Sequence, residues 1–258
     1  MTKTKDTGAL SSGEIFGRLL RAPLKLIPTS TPVRIISGEL RGRRWIPESA
    51  IHRCWMGWYE RDKQHLVANE VLRGSTFYDI GANVGFYTLL ASACVGAGRV
   101  VAFEPLPRNL KYLRRHVELN RINNVTVLDV AVSDKNQVLH FHAEKTGFMG
   151  RLSDDDSELP VESISLDALI GDGKIPPPDY IKMDIEGAEL LALRGAEQVL
   201  RMRRPTIFLA THGYDVDRQC CEFLESLGYE IRRLSPSTPN GLGEVLAKHH
   251  ASRQASNL

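Results

Sequence analysis

An acidic residue stands directly before a glycine-rich turn in the stretch YDIGANVG, residues 78–85. Asp79 is followed by Gly81, Asn83 and Gly85. Glycine lets a backbone turn tightly and approach a ligand without a Cβ, and asparagine tolerates unusual backbone angles. A carboxylate here would repel a phosphate but attract a cation. The turn therefore favours S-adenosylmethionine, which carries a sulfonium and an ammonium, over NAD, whose G-x-G-x-x-G turn holds a pyrophosphate.

Two further strand ends carry groups that could hold a nucleoside. The stretch AFEP places Glu104 at the end of the next apolar run. A carboxylate at that position can accept both hydrogen bonds from a ribose diol, although it could also serve only as a cap for the following helix. The third run ends near Asp129 and Ala131, where an adenine would lie. Asp129 is either an acceptor for the adenine amine or a surface turn residue.

The second half of the chain contains a carboxylate and a histidine at predicted strand ends. Asp184 lies in KMDIEGAE, and His212 follows the apolar run TIFLAT. A carboxylate at the end of a buried strand is costly unless it is paired, hydrated or bound to a metal. Glu189 falls in the first turn of a predicted helix, where the helix dipole favours a negative charge. Asp184 and His212 are therefore the candidate catalytic residues.

The elements that must position these residues alternate between strand and helix from residue 76 onward. This alternation predicts an α/β fold with a doubly wound, mostly parallel sheet, whose ligands bind at the carboxyl ends of the strands. Residues 134–178 interrupt the alternation with two extra strands and a loop. The predicted strands are 76–80, 99–103, 125–132, 180–185, 206–211 and 229–234, and the predicted helices are 84–95, 107–120, 187–201 and 215–227.

Three regions follow from this pattern: an N-terminal helical and hairpin cap (1–75), a cofactor-binding domain (76–248) and a flexible tail (249–258). The cap contains an apolar helix at 14–28, which we interpret as a lid rather than a membrane-surface helix, a hairpin at 33–46 and a helix at 62–74. Its aromatic residues either cover the cofactor site and meet an acceptor or simply pack on the sheet. These residues are Trp45, Trp55, Trp58 and Tyr59.

Composition excludes several classes of protein. A net charge of +2 argues against a nucleic-acid binder, which usually has a clear basic excess. The four cysteines form no C-x-x-C pair, which indicates a reducing compartment without a disulfide framework or a zinc cluster. We find no secretory signal and no run near the ~20 apolar residues of a membrane span, so we expect a soluble, cytoplasmic protein. Nothing in the sequence indicates its oligomeric state.

The combination of DIGANVG, AFEP and KMDIEGAE, in that order, resembles the FkbM family of S-adenosylmethionine-dependent methyltransferases, over roughly residues 70–212. The resemblance implies a class I (Rossmann-like) methyltransferase domain with an antiparallel strand near its C-terminus. It implies O-methylation of hydroxyls on sugars, glycans or natural products. It also implies that Asp79, Gly81, Asn83 and Gly85 surround the methionine part of the cofactor and that Glu104 holds the ribose.

One position departs from the family pattern. Many members have a glutamate near the end of the fifth strand, where this chain has Ala210, Thr211 and His212. Because a hydroxyl must lose its proton to be methylated, we consider two hypotheses. In one, His212 is a general base oriented by Asp184. In the other, both residues bind a divalent cation, Mg²⁺ or, given the histidine, Mn²⁺.

Two other functions remain open from the sequence. The chain could bind S-adenosylmethionine without transferring its methyl group. It could also be an NAD-dependent oxidoreductase, although the glycine spacing and Asp79 argue against this. A small molecule or glycan is the expected acceptor.

Overall fold

The computed structural model describes residues 29–143, 150–153, 159–235 and 242–249. The predicted helix at 14–28 and almost all of the predicted tail lie outside these residues. The described N-terminal segment begins with β1 (Val33–Arg34) and β2 (Arg44–Trp45), which pair antiparallel and confirm the hairpin. It continues through α1 (His52–Met56) and α2 (Arg61–Glu70). The second helix ends four residues before its predicted limit because Val71 adopts an extended backbone conformation.

Eleven further strands follow in the described residues and form two sheets. They are β3 (Thr76–Ile80), β4 (Arg99–Phe103), β5 (Val125–Leu128), β6 (Ala131–Val132), β7 (Gln137–Ala143), β8 (Gly150–Ser153), β9 (Leu159–Ile164), β10 (Tyr180–Met183), β11 (Thr206–His212), β12 (Tyr229–Ser235) and β13 (Leu242–His249). The central sheet has the order β12-β13-β11-β10-β3-β4-β5. Its strands β11, β10, β3, β4 and β5 pair in parallel, and β13 pairs antiparallel with both of its neighbours. The predicted doubly wound sheet and its antiparallel C-terminal strand are thus confirmed.

The predicted strand 125–132 is divided between two sheets. Its first half, β5, pairs with β4 in the central sheet. Its second half, β6, pairs with β9 in a separate sheet of order β6-β9-β7-β8. The prediction of one continuous strand was therefore wrong, because the chain leaves the central sheet after Leu128 and starts the inserted one. Two strands of this insertion, β7 and β9, were expected from the sequence.

Six helices follow the N-terminal segment within the described ranges: α3 (Phe86–Val95), α4 (Pro107–Leu119), α5 (Leu166–Gly171), α6 (Glu189–Arg194), α7 (Glu197–Arg203) and α8 (Tyr214–Ser226). The single helix predicted at 187–201 is two helices. The carboxylate of Asp167 accepts from the backbone N–H groups of Gln198 and Val199, each at 3.0 Å, and so gives α7 an N-terminus of its own. No helix in the described ranges has the length and apolar character needed to cross a membrane.

Apolar side chains cover both faces of the central sheet. One face, which carries Tyr78, Ile80 and Met183, packs against α5–α8. The other face carries Phe77 and Phe208 and packs against α3 and the N-terminal segment, whose buried residues include Ile35, Trp45, Trp55 and Val67. The segment therefore shares a core with the sheet. The division into a cap (1–75), a cofactor-binding domain (76–248) and a tail (249–258) stays a prediction.

Candidate active site

A cavity of about 440 Å³ lies at the carboxyl ends of the central strands. Its floor consists of residues that follow three neighbouring strands: Gly81 and Asn83 after β3, Glu104 after β4 and Asp184 after β10. Its walls come from residues outside the parallel strands, among them Ile51, Cys54, Tyr59, Val130, Ala131 and Leu139. Residues from motifs in both halves of the chain thus meet in one place, as a doubly wound sheet predicts.

The glycine turn lacks side chains chiefly because neighbouring atoms of the protein itself occupy the space. Gly81 has φ +75°, and a Cβ on it would lie 2.0 Å from the backbone oxygen of Asp184. Gly85 has φ +94°, and a Cβ there would lie 2.6 Å from a methyl carbon of Leu113. Asn83 also adopts a positive φ, 50°, and its side-chain oxygen accepts from the backbone N–H of Val84. The turn can therefore hold the strands β3 and β10 close together beneath a ligand.

Glu104 both lines the cavity and fixes the turn. Its carboxylate accepts from the backbone N–H of Asn83 at 2.8 Å and of Leu106 at 2.9 Å, and from the side chain of Asn109 at 3.3 Å. The residue is only 4% exposed. This burial raises the pKa of the Glu104 carboxyl to about 7, although the hydrogen bonds and the charge of Lys182 act in the opposite direction.

A lysine that the sequence analysis overlooked lies on the cavity floor. Lys182 is 4% exposed, and its ammonium donates to the backbone oxygen of Gly81 at 3.2 Å. It lies 3.6 Å from a carboxylate oxygen of Asp79 and 3.7 Å from one of Asp184. A charged side chain inside the otherwise apolar run YIKM was the available signal, since a lysine on a central strand needs anionic partners.

Asp79 lies beneath the floor rather than on it. The residue is fully buried, accepts from the hydroxyl of Thr88 at 2.6 Å and is absent from the residues that line the cavity. Burial raises the pKa of the Asp79 carboxyl, against the opposing effects of Lys182 and Thr88. The positive charge of Lys182 therefore opposes any attraction between Asp79 and a cationic ligand.

Four ionisable residues gather where β10 and β11 end. The Nδ1 of His212 is hydrogen-bonded to the carboxylate of Glu189 at 2.8 Å. Its Nε2 lies 3.3 Å from the carboxylate of Glu186 and 3.7 Å from that of Asp184. The orienting partner of the imidazole is thus Glu189 and not Asp184, because the first turn of α6 brings Glu189 beneath the ring. Asp184 and Glu186 line the cavity, whereas His212 stands behind them.

The charges of this cluster shift two pKa values. Burial alone would raise the pKa of Asp184, but the charges of Lys182, Lys63 and His212 outweigh it and lower the pKa. Burial alone would lower the pKa of His212, but its hydrogen bond to Glu189 and the three nearby carboxylates raise the pKa. The cluster therefore favours an ionised Asp184 beside a protonated His212.

A divalent cation fits the same cluster. Asp184, Glu186 and His212 can each offer one ligand atom, and these atoms lie within 4.8 Å of one another. Two carboxylates and an imidazole form a donor set that suits Mn²⁺ and related ions, and also Mg²⁺ when water completes the shell. Glu186, which has a left-handed backbone with φ 56°, was not among the predicted site residues.

The cavity wall also contains a polar group that the sequence did not indicate. Tyr87 donates its hydroxyl to Glu60 at 2.7 Å, and Glu60 forms an ion pair with Lys63 at 3.0 Å. Lys63 in turn contacts Glu244 on β13. Among the four aromatic residues of the N-terminal segment that we considered, Tyr59 lines the cavity and Trp45 instead stacks on His116.

The remaining predicted site residues differ in their position. Ala131 lines the cavity, and its contact with an adenine stays a prediction. The carboxylate of Asp129, in contrast, is half exposed and forms an ion pair with Arg114. Its proposed hydrogen bond to the adenine amine stays a prediction. Gly85 contributes through the turn and does not line the cavity.

Comparisons with known proteins identify a family and two relatives. The family described as "Methyltransferase FkbM domain" matches residues 79–231. Hexuronic acid methyltransferase AglP of Haloferax volcanii is 28% identical over 144 residues, which are 55% of this chain and 58% of that protein. Methyltransferase 1 of Beauveria bassiana is 23% identical over 146 residues, or 48% of this chain and 59% of that protein. The chain thus spans a little over half the length of these relatives.

Among solved structures, methyltransferase FkbM from Methylobacillus flagellatus KT is similar, with 20% identity and a TM-score of 0.49. The similarity covers 78% of this chain and 56% of that one.

Proposed function

Because this chain belongs to the methyltransferase FkbM domain family, we propose that it transfers a methyl group from S-adenosylmethionine to a hydroxyl group of a sugar, a glycan or a natural product. The observation that carries the proposal is the cavity floor. There the glycine turn, Glu104 and Asp184 follow three adjacent parallel strands and face one space of about 440 Å³.

In this proposal the cofactor occupies the side of the floor nearest β3 and β4. Gly81 and Asn83 contact the methionine part, and Glu104 accepts from a ribose hydroxyl with the one oxygen lone pair that its three protein donors leave available. The adenine then lies against Ala131 and its neighbours. The ionised Asp184 and the fully buried Asp79 offset the positive charge of the cofactor.

The acceptor occupies the side nearest β10 and the N-terminal segment. Tyr59 offers aromatic surface there, which suits the apolar face of a sugar ring. The curated relative named for hexuronic acid supports a sugar-like acceptor. We propose a small molecule or a glycan rather than nucleic acid.

The acceptor hydroxyl must lose its proton as the carbon–oxygen bond forms. We propose that Asp184 and His212 serve this step, with Glu186 beside them and Glu189 fixing the imidazole. In one version His212 first releases the proton that the neighbouring carboxylates stabilise on its imidazole. It then takes the proton of the acceptor hydroxyl. In the other, Asp184, Glu186 and His212 hold Mg²⁺ or Mn²⁺, which would supply a Lewis acid that lowers the pKa of the hydroxyl.

Calorimetry tests the cofactor. We expect S-adenosylhomocysteine to bind and NAD to leave the heat signal unchanged. Binding of NAD alone would favour an oxidoreductase and reject the proposal. Binding of S-adenosylhomocysteine without methyl transfer to any hydroxyl compound in an acceptor panel would instead favour a module that binds the cofactor but does not catalyse.

Activity measurements separate the two versions of proton removal. Unchanged turnover in excess chelator would exclude the cation. Full activity of His212→Ala would exclude both versions, since each requires the imidazole. We expect His212→Ala to lower kcat by about 10²- to 10⁴-fold, the usual contribution of a positioned acid–base group.

A further inference from the structure

Lys182 has donor capacity that its protein partners do not use. An ammonium group carries three N–H donors. Among the described residues, only the backbone oxygen of Gly81, at 3.2 Å, lies within hydrogen-bond distance of it. Asp79 and Asp184 lie at 3.6 and 3.7 Å, which are ion-pair rather than hydrogen-bond distances. A nearly buried cation with donors to spare calls for another acceptor, since an unsatisfied buried donor is costly.

The place of Lys182 indicates where that acceptor comes from. The residue lines the cavity beside the glycine turn, and its ammonium lies 5.4 Å from the ring centre of Tyr87, which also lines it. The contacts of the ammonium with protein are those with Gly81, two carboxylates and an aromatic ring. Because Lys182 lines the cavity, we infer that a ligand bound there supplies the further acceptor.

A lysine at this point would oppose a ligand that carried positive charge alone. S-Adenosylmethionine has a sulfonium and an ammonium, but it also has a carboxylate on the same amino-acid moiety. That moiety lies at the glycine turn in the proposed function. A carboxylate can use both spare donors of Lys182, and charge-assisted hydrogen bonds of this type are stronger than neutral ones.

We propose that Lys182 binds the carboxylate of the cofactor's amino-acid moiety, and that it thereby distinguishes intact S-adenosyl amino acids from decarboxylated or truncated thioether nucleosides. This inference rests on the proposed function. In this arrangement Lys182 binds the amino-acid moiety of the cofactor and Glu104 binds its ribose.

The test compares two ligands that differ only in this carboxylate. Calorimetry measures the affinity of the full chain for S-adenosylhomocysteine and for its decarboxylated analogue, 5′-deoxy-5′-(3-aminopropylthio)adenosine. We expect the wild-type protein to bind S-adenosylhomocysteine about 10- to 100-fold more tightly, the range for a hydrogen-bonded charge pair. In Lys182→Met this ratio should fall to about 3 or less.

Two further variants keep the result interpretable. Lys182→Met leaves two carboxylates near each other, so the pair Asp79→Asn with Lys182→Met removes one of them and should show the same loss of discrimination. The control Lys174→Met changes an exposed lysine that does not line the cavity and should retain the wild-type ratio.

The outcomes are distinct. Equal affinity of the wild-type protein for the two ligands would overturn the inference without touching the proposed function. A wild-type ratio that persists in both Lys182 variants would also overturn it, because another group would then read the carboxylate. If the wild-type protein binds neither ligand, the proposed function itself fails.

Discussion

In the proposed function, the buried carboxyl of Glu104 should make cofactor binding depend on pH. Burial raises its pKa to about 7. A ribose diol donates hydrogen bonds and so binds best to the ionised form. As pH falls below about 7, the carboxyl takes up a proton that the ligand must displace, and affinity should fall by up to about tenfold per pH unit. Above that pH the affinity should be constant. Titration of S-adenosylhomocysteine by calorimetry between pH 5.5 and 8.5 measures this.

Glu104→Gln is the matched variant for this prediction. It keeps the shape of the side chain and part of its hydrogen bonding but has no charge to lose. We expect weaker binding at pH 8 and a nearly flat pH dependence. A variant with the same slope as the wild-type protein would assign the pH effect to another group.

Gly81 is required by two independent constraints, which a second glycine can separate. Gly81 and Gly74 both have a positive φ, but a Cβ would meet the Asp184 oxygen at 2.0 Å on Gly81 and no atom within 4 Å on Gly74. Alanine in the left-handed region costs about 1–2 kcal/mol. We expect Gly74→Ala to lower the free energy of unfolding by about that amount and Gly81→Ala by at least about 2 kcal/mol more. Urea unfolding curves measure both, and equal losses would contradict the proposed close approach of the two strand ends.

At the scale of the elements, α4 joins the N-terminal segment to the glycine turn through one histidine. The Nε2 of His116 accepts from the backbone N–H of Ile46 at 3.0 Å, so its Nδ1 carries the proton and donates to the Val84 oxygen at 2.8 Å. The ring also stacks on Trp45, with 4.0 Å between ring centres. The two hydrogen bonds together therefore require the neutral imidazole.

Acid should weaken this junction. Burial lowers the pKa of His116 to about 4, while the unfolded chain takes up the proton near 6.5. The stabilisation is complete above pH 6.5 and is lost as pH falls toward 4, by about 3 kcal/mol in total. The variant His116→Gln has an amide that can both donate and accept. Its free energy of unfolding should fall by about 3 kcal/mol less than that of the wild-type protein over the same pH interval. Denaturant titrations at pH 7 and pH 4.5 compare them, and equal losses would contradict the assignment.

The alternation of apolar runs was sufficient to predict the central sheet, because parallel strands buried on both faces are near-continuous apolar runs. It failed where tertiary contacts divide an element. Residues 125–132 have strand character throughout, but only pairing with β9 shows that the last two belong to another sheet. Similarly, the break between α6 and α7 depends on Asp167, which lies some thirty residues earlier in the sequence.

The candidate site was predictable in part for the same reason. Residues at the ends of predicted strands could be placed together, and Asp184 and His212 do lie 3.7 Å apart. Contacts that depend on side-chain direction could not be predicted. Glu189 reaches His212 from the first turn of a helix, and Lys182 reaches Gly81 from within a strand. The lining by Tyr59 depends on how the N-terminal segment packs, for which the sequence carries no local signal.

At the scale of the whole molecule, the N-terminal segment and the sheet share a core, and this has a spectroscopic consequence. The chain has three tryptophans, all in this segment: Trp45, Trp55 and Trp58. Trp45 and Trp55 are buried in the cluster that also contains Phe77 and Phe208 of the sheet. Tryptophan fluorescence therefore reports on the segment, while far-ultraviolet circular dichroism reports mainly on the helices and the sheet.

We expect the two signals to change together in urea, with the same midpoint and the same slope, because a shared core unfolds cooperatively. A fluorescence transition at lower urea than the dichroism transition would show instead that the segment is a separate unit. Val67→Ala, in the segment, and Phe208→Ala, in the sheet, should each shift both midpoints downward, and each should cost about 2–5 kcal/mol.

The floor of the cavity and its walls have different origins in the chain. The floor follows β3, β4 and β10, whose hydrogen-bonded ladders fix its geometry, while the walls come from residues 50–59 and from the inserted sheet that carries Leu139. Changes in wall length or composition leave those ladders intact. In the proposed function the floor holds the methyl donor and the walls meet the acceptor, so chimeras that exchange residues 50–59 or the inserted sheet between relatives should change the acceptor and keep the methyl donor.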